Sequence, residues 1–332
     1  MRMILVHGIS QEGKSEQQIH DEWLGPLRAT FTRLGNDPLG RLTRIDAAFY
    51  GDLLDENSSP WLKSEVLAMG AEEADDEFDE FAVQAFEEMA LVIGVTKEQI
   101  EAEAAETTLP MQGNRICGTG MEHRRVCSRC DSVLFAIRFL EIGHMRKPCL
   151  PMGKGPHKKW MKAIARAVET VSPFKGTIAL RTLGQAHAYI RNQHVHNLVN
   201  GKVRPLFEND EPTIVVSHSL GTIVSYALLR EFARNKRPRQ IPLWLTLGSP
   251  LGIDAVRKGF TNPRVRPANV ARWVNGADPE DFVALRPALA AKDYGPDVEN
   301  ISDIENGWEN PHNITAYLGD DRIAKAIADA IS

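Results

Sequence analysis

The stretch that decides the fold is Thr213-Ile214-Val215-Val216-Ser217-His218-Ser219-Leu220-Gly221. An apolar β-branched run at 214–216 passes through Ser217-His218-Ser219 into residues 220–234, where apolar side chains recur every three to four positions. An unbroken apolar run predicts a strand covered on both faces, and the helical period that follows at once predicts a tight turn with Ser219 at its tip. The same grammar extends outward. Residues 3–6 form a short apolar run ending at His7-Gly8, and from 16 to about 34 the positions Ile19, Trp23, Leu27 and Phe31 mark a helix. Strands are expected at 43–50, 243–247 and 272–274, one long helix at about 180–206 and a closing helix at about 321–331. Strands alternating with helices predict an α/β fold, a mostly parallel sheet with helices on both faces.

Composition narrows the class. The chain has 332 residues, 43% hydrophobic and 25% charged, which suits one large or two ordinary domains and excludes disordered, collagenous and coiled-coil chains. A formal net charge of −5 argues against nucleic acid as the main partner, because phosphate neutralisation needs a basic surface. With no long apolar run and no signal-peptide core, no integral membrane segment and a cytoplasmic location are expected. The alternating pattern breaks at 55–171, giving an expected core of 1–54 and 172–332 with a large helical insertion as lid or cap. Residues 71–110 of the insertion are acidic and 115–166 basic, with an apolar stripe at Phe78, Phe81, Phe86 and Met89. Cys117, Cys127, Cys130 and Cys149 all fall there, near His123 and His144. They contain one C-x-x-C, so reduced thiols are expected, with structural zinc as the alternative. His187, His194 and His196 are read as surface or core residues. No metal and no cofactor is expected, and oligomeric state is left open.

The chemistry concentrates at Ser219. A serine on a strained strand-to-helix turn projects its hydroxyl above the sheet edge, where the free amides of the helix start point at the same spot: the arrangement called a nucleophile elbow. Residues two before and two after must be small to clear the adjacent strand and helix, and Ser217 and Gly221 satisfy this, with serine where glycine is usual. His218 is read as packed, with its side chain pointing away from Ser219. On these residues the chain resembles the α/β-hydrolase superfamily in its lipase and serine-esterase branch, over the N-terminal strand and roughly 180–332. The resemblance implies a smaller sheet than the family standard and a triad in the chain order serine, acid, histidine. It also implies an oxyanion hole completed by a loop that often begins His-Gly. His7-Gly8 stands in that place, so the backbone amides of Leu220 and of Ile9 or Ser10 are the implied donors.

His312 is the one histidine after Ser219, so it is the only candidate base in that order. Asp278 follows a short strand and opens a loop, as the acid does in the family, with Asp281 and Asp254 in reserve. The turn Gly248-Ser249-Pro250 looks like the lipase branch as well, with Ser249 as a capping residue. The implied activity is hydrolysis of a small-molecule carboxylic ester through an acyl-enzyme, without cofactor. Two other classes compete: a noncatalytic binding or scaffold protein on the same fold, and a nucleotide-binding protein. The latter reading comes from Gly8 to Ser15, which matches the phosphate-loop pattern G-x-x-x-x-G-K-S in full. Against it stand Glu12 inside the cradle and the absence of a second strand ending in a metal-holding Asp.

Overall fold

β1 (Arg2–Val6) is buried along its whole length, as a strand covered on both faces must be. It lies inside a parallel six-stranded sheet of order β2-β1-β3-β4-β5-β6. The other strands are β2 (Arg44–Ala48), β3 (Thr213–His218), β4 (Ile241–Leu247), β5 (Val270–Gly276) and β6 (Val298–Ile301). The computed structural model describes residues 1–57, 175–234, 239–307 and 309–332, with the helical positions 81, 84, 85 and 88. The chain divides into two compact units, Met1–Ser59 with Gly184–Ser332, and Pro60–Leu183. The sheet belongs to the first. The acidic and basic stretches, the cysteine cluster and most of the apolar stripe lie outside the described residues.

Between the strands run α1 (Glu16–Arg33), α2 (Gly51–Asn57), α3 (Lys175–Arg191), α4 (Gln193–Phe207) and α5 (Leu220–Arg234). Shorter helices α6 (Asp254–Lys258), α7 (Ala291–Tyr294) and α8 (Ile314–Tyr317) precede the closing α9 (Asp321–Ile331). Strand alternation divides the core in two. Met3, Leu5, Ile214, Val216, Leu243, Leu245 and Val274 pack with Trp23, Leu27 and Phe31 of α1 and Ile323 and Ile327 of α9. On the opposite face Trp244 and Trp273 stack with centroids 4.4 Å apart, and Tyr226 of α5 stacks on Trp244 at 5.8 Å. Both faces are therefore covered, which is what the unbroken apolar runs required.

The second face also carries a polar row. The Trp244 indole donates to Ser217 Oγ at 2.9 Å, and Ser217 Oγ donates to the Leu245 carbonyl at 2.7 Å. Thr246 and Asn275 continue the row, with the Trp273 indole donating to Thr246 Oγ1. This explains serine at 217: glycine there would strand a buried indole N–H, a cost of about 1–3 kcal/mol.

Two expectations need correction. The single helix at about 180–206 is two helices, α3 and α4, separated at Asn192. Asn192 leaves helical geometry and its side chain accepts from the amides of His194 and Val195, capping α4. The sheet also has a strand that the sequence pattern did not disclose, β6, whose Glu299 and Asn300 are exposed polar residues on an edge. No described helix is long and apolar enough to cross a membrane. Replacing the cap, Asn192→Ala, is expected to lower stability by about 1 kcal/mol, read as a shifted urea midpoint with unchanged slope.

Candidate functional site

Strand order reverses at β1 and β3, since β2 lies on one side of β1 and all later strands on the other. In open parallel sheets the crevice at such a point, beyond the carboxyl ends of the strands, is where groups from several loops converge. Here Val6 is in register with Ser217, and His218 with Leu247, so the loops after β1, β3 and β4 leave the sheet side by side. The loop after β5 joins them, because Leu247 pairs with Gly276.

Ser219 sits between β3 and α5 with φ +54°, a left-handed conformation that costs a non-glycine residue about 1–3 kcal/mol. Its backbone is pinned on both sides. Ser219 N–H donates to the Leu247 carbonyl at 3.0 Å, and the Ser219 carbonyl accepts from Thr222 N–H at 3.0 Å and Thr222 Oγ1 at 2.7 Å. Two glycines let β1 press against this turn. A Cβ on Gly221 would lie 2.5 Å from the His7 carbonyl oxygen, and one on Gly8 would lie 2.5 Å from Ser219 Cβ and 3.0 Å from Oγ. The loop that starts at Gly8 therefore runs directly beside the serine hydroxyl. Leu220 opens α5, so its amide has no acceptor within the helix. Ile9 is buried, and Ser10 takes φ +57°.

His7 holds that loop. Its ring Nδ1 lies 2.7 Å from the Gly8 carbonyl and its Nε2 accepts from the Tyr50 amide at 3.1 Å, so the proton is on Nδ1. Tyr50 returns its hydroxyl to the His7 carbonyl and stacks on the ring at 4.1 Å. Burial lowers the His7 imidazole to about 4, against a smaller raising effect of the Gly8 carbonyl.

His312 comes from the loop before α8, and its Nδ1 lies 2.8 and 2.9 Å from the two oxygens of Asp281. The expected acid, Asp278, is not the partner. Its Oδ1 accepts from the Glu280 amide at 2.7 Å and its Oδ2 from the Asn306 amide at 2.7 Å, which makes it the lock of the turn. Asp254 pairs with Arg257 and Arg286. Asp281 is fully buried and also accepts from the amides of Val283 and Ala284 and from the Tyr317 hydroxyl at 2.6 Å. Burial pushes its carboxyl up, but His312, Tyr317 and the Val283 amide together outweigh burial and leave it below its ordinary value. Gly248, at φ +55°, leaves the space for this pair: a Cβ would lie 2.8 Å from Asp281 Oδ2 and 3.1 Å from His312 Nδ1.

His218 points to the α1 face, away from the polar row, and meets His312 rather than Ser219. Its Nε2 donates to the His312 carbonyl at 2.9 Å and the two rings lie 4.5 Å apart. Burial first, and the neighbouring His312 second, hold its imidazole well below the usual value. The packed role expected for it thus includes fixing the main chain of His312. Ser219 Oγ and His312 Nε2 are both among the buried side-chain atoms without a hydrogen-bond partner, so no hydrogen bond joins the two.

The phosphate-loop reading loses its groups to other contacts. The amides of Gly13, Lys14 and Ser15 donate to Asp52, the Gln11 carbonyl and Gln18. The Lys14 ammonium pairs with Glu22 at 2.6 Å, and Ser15 caps α1. Ser249 accepts from the Leu251 amide as a capping residue. His196 packs on Tyr189 and contacts Asn200. Among the described residues no group of three His, Cys, Asp or Glu is placed to hold a metal.

Buried neutral histidines make stability depend on pH. His7 has a folded value of about 4 against 6.5 unfolded, so its contribution is complete above 6.5 and is lost as pH falls, because the unfolded chain binds a proton that the native state refuses. His218 acts in the same direction. Urea denaturation is expected to show stability lower at pH 4.5 than at pH 7 by about 2–3 kcal/mol from His7, an effect absent in a His7→Asn variant that still folds.

Comparison of the chain with protein-family models, with curated proteins and with solved structures gives no match.

Proposed function

We propose that this chain is a serine hydrolase that cleaves a carboxylic ester through an acyl-enzyme, with Ser219 as nucleophile, His312 as general base and acid, and Asp281 as the carboxylate that orients the base. One observation carries the reading: a buried carboxylate occupies Nδ1 of His312, leaving Nε2 as its basic nitrogen, while a serine hydroxyl on a strained elbow is left without a partner. Few structural needs account for that combination. His7, also buried, engages both of its ring nitrogens.

In the proposed reaction Ser219 Oγ attacks the acyl carbon and its proton passes to His312 Nε2. The carbonyl oxygen gains charge and is stabilised by the amides of Leu220 and of Ile9 or Ser10. His312 then protonates the leaving alcohol, and a water activated by the same nitrogen releases the acid. Asp281 stays ionised throughout, balancing the imidazolium. The ester as substrate class follows from the resemblance of the elbow, the His7-Gly8 loop and the Gly248-Ser249-Pro250 turn to the lipase and serine-esterase branch.

A fluorophosphonate probe is expected to label the wild type and not Ser219→Ala. Turnover of a short chromogenic ester should fall by about 10⁴–10⁶ in Ser219→Ala and His312→Ala, and by about 10⁴ in Asp281→Asn, where the imidazole loses its tautomer control. Asp278→Asn should stay within about tenfold of wild type, since the asparagine carbonyl oxygen still accepts from the Glu280 amide that shapes the turn. An unlabelled, inactive wild type would end the proposal.

A further inference from the structure

We propose that Tyr317 is a positioning residue for the reaction: its hydroxyl, fixed by the backbone of Asp278, holds the Asp281 carboxylate in place and restrains its basicity toward His312. The inference rests on the serine-hydrolase reading of the same site. It starts from a chain of hydrogen bonds. The Asp278 amide donates to Tyr317 Oη at 3.1 Å, Tyr317 Oη donates to Asp281 Oδ2 at 2.6 Å, and Asp281 receives His312 Nδ1 at 2.8 Å. Donors aligned in this way polarise one another, so the phenol is a stronger donor than an isolated one.

The geometry leaves no spare lone pair. Asp281 Oδ1 takes the amides of Val283 and Ala284 along with His312, and Oδ2 takes Tyr317 and His312. A carboxylate with roughly four acceptor sites is thereby saturated. Saturation matters because the reaction places a proton on the imidazole beside it, and the carboxylate must orient that imidazolium without holding it too firmly. Tyr317 is itself fully buried among the α1 and α9 side chains, so the phenol cannot exchange its partner for water. Burial, then the Asp281 charge, keep the phenol protonated and therefore a donor.

Removing the hydroxyl has a signed consequence. Without it Asp281 is more basic and binds the protonated imidazole more tightly, so the pair releases its proton at higher pH. The titratable groups facing the pair are Tyr317 from α8, Asp278 from the turn and His218 from β3, with His7 beyond His218. His218 is held neutral by burial and does not supply this limb.

The test is Tyr317→Phe, which keeps the ring and removes one oxygen. Expected are a fall in kcat of roughly tenfold with KM unchanged, and an acidic limb of kcat/KM moved up by about half a unit to one unit. The Nδ1 proton resonance of His312 should move downfield. Site-specific 3-fluorotyrosine at 317, a stronger donor, should move the limb and the resonance the opposite way, and it covers the case in which the phenylalanine variant does not fold. If kcat, limb and resonance stay put in both variants while only the melting temperature changes, Tyr317 is core filling and the proposal is wrong. A wild type without ester turnover or probe labelling instead sinks the hydrolase reading. The resonance needs no substrate and reports on Tyr317 in either case.

Discussion

The end of β1 and the first turn of α5 are in backbone contact, and the geometry above the sheet follows from that contact. With a Cβ at Gly221 within 2.5 Å of the His7 carbonyl oxygen, any side chain there forces the two segments apart. The contact brings the loop after β1 against the serine and lets β1 and β3 pair in register up to Val6 and Ser217. It also fixes what the loop can do. A chain passing this close to Ser219 Oγ must be glycine at its nearest point, and Gly8 is that residue. The left-handed φ of Ser219 is the local cost of the arrangement, offset by the three hydrogen bonds that tie its amide and carbonyl to β4 and α5.

Above this steric frame the polar groups are ordered by burial. Three histidines from three elements stand near one another, and two of them, His7 and His218, are kept neutral because burial penalises their charge. Both bond to main chain, His7 through its two ring nitrogens to Gly8 and Tyr50, and His218 through Nε2 to His312. The third, His312, faces a carboxylate instead. Three charged imidazoles this close together would repel one another, and burial keeps two of the three neutral.

The sheet was legible because its signal is local. The runs in β1, β3 and β4 are too apolar for an exposed strand, and the helical period after β1 and β3 is unambiguous. β6 was hidden because an edge strand of four residues with Glu299 and Asn300 needs little apolar content. The division of α3 from α4 depended on one side chain, Asn192, whose preference for capping outweighs the apolar spacing that continues across it. Ser219, Gly221, Gly8 and His312 were legible because each is constrained by sterics or by chain order. Tyr317 was not, since a tyrosine in an apolar helix reads as core, and only its buried hydroxyl, which needs a partner, sets it apart.

The choice between Asp278 and Asp281 shows where chain order stops being informative. Both lie in one four-residue segment after β5, and order allows either. Asp278 precedes Pro279, and aspartate before proline is itself a turn signature: the carboxylate folds back onto amides two residues on. That is what it does here, accepting from Glu280 while its carbonyl accepts from the Asp281 amide. A residue committed to shaping the turn has no carboxylate left for a partner across the crevice. Asp281, at the far end of the same turn, is aimed inward by the bend that Asp278 makes. The two aspartates are thus one device, the first setting the direction of the second. Tyr317 closes the loop between them by accepting from the backbone of one and donating to the side chain of the other.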